Sequence, residues 1–183
     1  MIKNDRWIQE MVKKNKMIEP FEPSQVRNGM ISYGLSSYGY DARLSDEFQI
    51  PSGVYREIID PKSITPDIFE EVKASEVVIP PSSYVLGRTL EYFRIPRKVL
   101  GLCVGKSTYA RSGVLINVTP LEPEWDGYIT IAISNITGKP VKLYGMEGII
   151  QVLFFESDEE PEISYKDRKG KYQAQQSITP SKV

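Results

Sequence analysis

The sequence predicts a mainly β protein, an all-β barrel or sandwich behind one short N-terminal helix. Three observations carry this expectation. From about residue 31 the helical period disappears. In its place come the apolar runs "EVVIP", "SYVLGRT", "VLGLCVG", "VLINVT", "YITIAIS", "VKLYG" and "IIQVLFFE". Their β-branched content and Gly, Pro and Asn punctuation are those of closely spaced strands, against a parallel α/β sheet. A length of 183 residues suits one domain with a real core.

The helix is "NDRWIQEMVKK", inside residues 1–16, where Trp7, Ile8, Met11 and Val12 share one face and Asn4 or Asp5 can cap the start. Next, "ISYGLSSYGYDARLS" at 31–45 reads as turn chemistry; Asp41 and Arg43 can pair there, and the aromatics can pack a subunit contact. The clearest strand is "YITIAISN" at 128–135. Alternation sends Ile129, Ile131 and Ile133 into a core and leaves Tyr128, Thr130, Ala132 and Ser134 on the other face, where Ala132 is a methyl in a hydroxyl-bearing row. "NITGKP" at 135–140 is a turn. The segment 157–183 is polar and poor in strand signal.

Composition removes several function classes. With 23 basic and 24 acidic residues the net charge is −1, so no global field draws in nucleic acid and any anion site must be local. The absence of histidine excludes His-based triads and His-containing zinc sites, and the one cysteine, Cys103, cannot form an intrachain disulfide. No apolar run approaches the roughly 18 residues that cross a bilayer, and the first residues lack a signal-peptide stretch, so cytoplasm is the expected compartment.

Three clusters carry candidate chemistry. "GKSTYARSG" at 105–113 sets Lys106, Ser107, Thr108 and Arg111 between glycines: a phosphate cradle or a solvated turn, without Walker A spacing. "TPLEPEWDGY" at 119–128 places Glu122, Glu124, Trp125 and Asp126 in a compact loop that either helps hold magnesium or is merely acidic. "SYKDRKGKYQAQQ" brings Tyr165, Arg168, Lys169, Lys171 and Gln175 into a segment that either folds over an anion or stays a solubilising tail.

Taken together and in order, "SSYGYDARLS", "GKSTYARSG", "NVTPLEPEWDGYITI", "EGIIQVLFFE" and "SYKDRKGKY" resemble the bacterial dCTP deaminases. The resemblance implies a single domain over 1–183: a dUTPase-like distorted β-barrel or jelly-roll subunit, forming a homotrimer with sites at subunit boundaries. It implies hydrolytic deamination of dCTP to dUTP and ammonia without zinc, supplying dUMP, with Mg2+ riding on the triphosphate and dTTP as an inhibitor. No nucleic acid or membrane partner is implied. By the same resemblance, Lys106, Ser107, Thr108, Tyr109, Ala110 and Arg111 wrap the triphosphate and reach toward the base. Ser107 and Arg111 orient water and cytosine. Thr130 and Ile131 present strand backbone to the nucleoside, Gln151 lines the pocket, and Tyr165, Lys171 and Gln175 close over the phosphates.

One position departs from the pattern. Where relatives carry the general-base glutamate, this chain has Ala132. A methyl cannot accept a proton, and losing a positioned base costs on the order of 10² to 10⁴ in rate. The chain therefore reads as an inactivated Glu-to-Ala form of a deaminase. The alternatives are a dUTP diphosphatase or bifunctional enzyme of the same fold, and a non-catalytic nucleotide-binding protein.

Overall fold

The computed structural model describes residues 1–52 and 59–182. Helix α1 (Asp5–Asn15) starts where the Asn4 side chain accepts from Trp7 N at 3.2 Å and stops at Lys16, which takes a left-handed conformation. Its apolar face seals one end of the core. Ile8 is fully buried and the Trp7 ring lies 6.4 Å from that of Phe154.

Strands follow throughout: β1 (Ile18–Glu19), β2 (Gly34–Ser36), β3 (Gly39–Pro51), β4 (Phe69–Lys73), β5 (Glu76–Ile79), β6 (Tyr84–Arg94) and β7 (Val99–Gly105), then a single helical turn α2 (Ser107–Ala110), β8 (Val114–Asn117), β9 (Asp126–Asn135), β10 (Val141–Tyr144) and β11 (Gly148–Glu156). The main sheet runs β7-β11-β3-β6-β9-β8 with antiparallel neighbours, while β1 adds to β6 and β2 and β4 add to β3. Its two ends curl together into a near-closed barrel: a Cβ built on Gly105 of β7 would stand 3.2 Å from Ile116 of β8. The mainly β architecture with a short leading helix is the one the sequence predicts. No helix among the described residues is long and apolar enough to cross a membrane.

The barrel interior holds Tyr40, Leu44, Phe48, Phe93, Ile131, Ile133 and Phe154, all at most 1% exposed. Each such side chain contributes roughly 1.5–3 kcal/mol by leaving water. A small sheet of β5 and β10 is tied to the end of β9 by Asn135, whose amide donates to the carbonyls of Ile79, Pro80 and Lys139.

Two readings of residues 31–45 need correction. Only Ser37 and Tyr38 form a turn between β2 and β3; beyond them β3 becomes the longest strand, of 13 residues. Asp41 and Arg43 do not pair. Residues two apart on a strand stand about 7 Å apart, and each of these finds a nearer partner on another element. Arg43 Nε donates to Glu91 Oε1 of β6 at 2.7 Å, and its backbone N to Oε2 at 2.9 Å. Asp41 accepts from Lys106 and from Gln25, both at 2.8 Å. Burial raises the Glu91 pKa and its contacts with Arg43 oppose that rise.

Candidate active site

Strand β9 has two faces with separate tasks. Its isoleucines enter the barrel, 0–2% exposed, while Tyr128, Thr130, Ala132 and Ser134 are half-buried on the other side. That second face forms part of a cleft of about 940 Å³. Register sets Leu86 of β6, Ala132 of β9 and Asn117 of β8 in one cross-strand row on the cleft floor. The loop of residues 118–125 makes one wall and the C-terminal segment, with Tyr165, Lys171 and Gln175, makes another.

The C-terminal segment is held by specific bonds. Tyr128 N donates to Gln175 O at 2.9 Å, and the Gln175 amide donates back to Tyr128 O at 2.8 Å and also to the Thr130 hydroxyl. The approach is close enough to need Gly127: a Cβ there would lie 2.9 Å from Gln175 N, and its φ of +149° suits glycine. Trp125 Nε1 donates to Tyr172 O at 2.8 Å, and Tyr172 N to the Tyr165 hydroxyl at 3.0 Å. Arg97 fastens segment and loop together, reaching Glu124 at 2.6 Å and Asp167 at 2.8 Å. The Ser164 backbone N–H and then Arg97 hold the Asp167 carboxyl below its ordinary range.

The acidic loop is already engaged within the chain. Glu122 pairs with Arg168, Glu124 with Arg97, and Asp126 accepts from Gln173 and, at 2.7 Å, from the Tyr92 hydroxyl. Burial, followed by the Asp126 contact, pushes the Tyr92 phenol up to about 12. Among the described residues, Cys, Asp and Glu side chains nowhere gather as a set of three able to hold a metal ion.

The residues around α2 are arranged differently. Ser107, Thr108, Ala110 and Arg111 are exposed, and among the described residues the Arg111 guanidinium has no partner. Lys106, by contrast, is largely buried against Asp41. Tyr109 turns inward, where its hydroxyl accepts from Tyr144 N at 3.1 Å and burial pushes the phenol up to about 12. Gln151 of β11 donates to the Ser36 hydroxyl at 3.0 Å.

The predicted residues therefore fall into two groups within one chain. Thr130, Ala132, Tyr165, Lys171 and Gln175 share the cleft; Ile131 lies just behind it with its side chain in the core. Lys106 to Arg111 and Gln151 are not among the residues that line it. Sequence reasoning missed Asn117 and Leu86, whose place beside Ala132 depends on register, and Arg97, an isolated arginine in "IPRKVL" with no motif around it.

Comparisons with known proteins agree on one family. A family model described as dCTP deaminase-like matches residues 2–157. The dCTP deaminases of Herpetosiphon aurantiacus and Acidobacterium capsulatum are each 59% identical to this chain over 182 residues, covering 100% of it and 99% of the relative. That of Nitrosomonas europaea is 56% identical over 186 residues, with the same coverage. The crystal structure of 2'-deoxycytidine 5'-triphosphate deaminase from Agrobacterium tumefaciens superposes with a TM-score of 0.64 at 15% identity, over 85% of this chain and 48% of that one. At that identity the likeness speaks for the fold.

Proposed function

This chain belongs to the dCTP deaminase family, and from that premise we propose that it is built to bind dCTP and replace the cytosine 4-amino group by oxygen from water. The observation that carries the reading is the outward row of β9, which floors a cleft large enough for a nucleotide and meets a C-terminal wall bearing Lys171, Tyr165 and Gln175. In this reading the cleft takes the pyrimidine against Thr130 and Ala132, with the backbone of Thr130 and Ile131 reading the nucleoside. Lys171 and the cations beside α2 meet the triphosphate.

The exposed Ser107 and Arg111 complete the site from a second copy of the chain, in a homotrimer. An apolar strip supports such assembly: Leu100, Leu102 and Val104 on β7 and Leu115 on β8 are 38–57% exposed, on the strands flanking α2. Magnesium would be held by the triphosphate rather than by a carboxylate cage, because the loop carboxylates are committed to Arg97, Arg168 and Tyr92. With no histidine and one cysteine, the chain cannot supply the ligand set of the zinc-dependent base deaminases. Cytoplasmic dUMP supply for thymidylate synthesis is the role that follows.

Ala132 sets the activity of the chain as it stands. A glutamate there would reach from the cleft floor to the attacking water; the methyl cannot take its proton. Replacing Ala132 by Glu is expected to raise dCTP-to-dUTP conversion, followed by ultraviolet absorbance, by on the order of 10² to 10⁴. If both forms bind dCTP and neither converts it, the chain is a nucleotide-binding protein and not a deaminase. Pyrophosphate release from dUTP in the same assay would reveal a diphosphatase.

A further inference from the structure

We propose that the cleft floor at Ala132 binds a small monocarboxylate such as formate or acetate, and that the bound ion serves as the base in place of a side chain. This inference rests on the deaminase reading. Three features of the floor point to such an ion.

Size comes first. Relative to glutamate, a methyl at position 132 leaves one methylene and a carboxylate unfilled, about the size of acetate, and formate is smaller than that. The second feature is the neighbour. Asn117 is the direct cross-strand partner of Ala132, which puts the two Cβ atoms about 5 Å apart. Its side chain is exposed, lines the cleft and makes no hydrogen bond among the described residues, so its NH2 is free to donate to a carboxylate. Leu86 closes the other side of the row with apolar atoms and limits the width.

The third feature is charge. Among the described residues lining the cleft only Glu122 and Lys171 are ionised, and Glu122 is neutralised by Arg168. Lys171 is taken up by the triphosphate in the proposed complex, and the row of Leu86, Ala132 and Asn117 itself carries no carboxylate to repel an anion.

The step balances without an oxidant. The carboxylate takes a proton from water as the water oxygen bonds to C4, and hands it to N3 as the N3–C4 double bond opens. It then carries the remaining hydroxyl proton to the amino nitrogen, which leaves with the C4–N electron pair as ammonia while the C4 carbonyl forms. The carboxylate is regenerated, and dCTP and water become dUTP and ammonia.

The test is conversion of dCTP by the intact oligomer of the chain as given, in sodium formate against sodium chloride at equal ionic strength. A saturable gain of about tenfold or more is expected in formate, part of the 10² to 10⁴ that a positioned base contributes. The gain should shrink with acetate and vanish with pivalate. Ala132→Leu, which fills the floor, should abolish it while still binding dCTP. Ala132→Glu should be active without formate and gain nothing from it. An active Ala132→Glu beside no formate effect overturns this inference and leaves the deaminase reading intact, as would an equal gain from pivalate. An inactive Ala132→Glu overturns both.

Discussion

The cleft on β9 and the ridge at α2 differ in how far each is finished within one chain. In the cleft, Asn117 apart, the walls are already tied within the chain: Thr130 accepts from Gln175 and Thr179, Trp125 donates to Tyr172, and Arg97 locks the two walls together. The ridge is the reverse, a projecting turn whose Ser107 and Arg111 side chains are exposed and have no partner among the described residues. On the proposed reading the concave cleft and the convex ridge are two parts of one site, contributed by different copies of the chain. An exposed arginine on a short turn, without a partner among the described residues, is a group that a ligand or a second copy can engage.

The largest effect should appear where the two halves are separated by mutation. In an Ala132→Glu background, Arg111→Ala is expected to lower turnover by at least about 10²-fold, since on the proposed reading it removes a charge-assisted contact to the reacting groups. Mixing that inactive double variant with the equally inactive chain as given should restore dCTP conversion after subunit exchange. Only an interface brings the carboxylate installed at position 132 of one copy to Arg111 of another. A site closed within one chain would leave the mixture dead, and cleft and ridge would not be two halves of one site.

A smaller effect should separate folding from function. Glu91→Ala strips Arg43 of its barrel partner, and leaving a buried charge unpaired costs about 3–5 kcal/mol. At this chain length that lowers the melting temperature by roughly 10 °C. Arg111→Ala, on an exposed turn, should leave the calorimetric melt unchanged. Equal shifts in the two variants would show that the ridge is structural.

The smallest effect concerns the clasp that shapes the cleft. Asp167 has a folded pKa below its ordinary 3.8, so its contribution is complete at neutral pH and is lost only as the pH falls through the lower, folded value. The Ser164 amide resonance should follow that titration with a midpoint under 3.8, and Asp167→Asn should flatten it. A midpoint at or above the ordinary value would mean that the Arg97 clasp is open in solution.

Legibility in the sequence tracked how each residue is buried. β9 could be read because only one of its faces is in the core, so apolar and polar residues alternate along it. β3 could not. It lies mid-sheet between β11 and β6, and Tyr40, Asp41 and Ala42 are all buried in succession. Its polar members are satisfied by Lys106, Gln25 and Glu91, contacts that no local pattern announces. Within the site, the aromatic and cationic residues of the C-terminal segment were visible as a composition. Asn117 was invisible, because "VLIN" does not say which residue of β9 its last member will face.

The division of β9 into an isoleucine side and a cleft side has a further consequence for how this protein could lose or regain its chemistry. Exchanging a methyl for a carboxylate at position 132 leaves the hydrocarbon layer behind it untouched, so the change is expected to fall on the cleft and not on the core. On the proposed reading, a single codon decides whether the cleft floor carries a base.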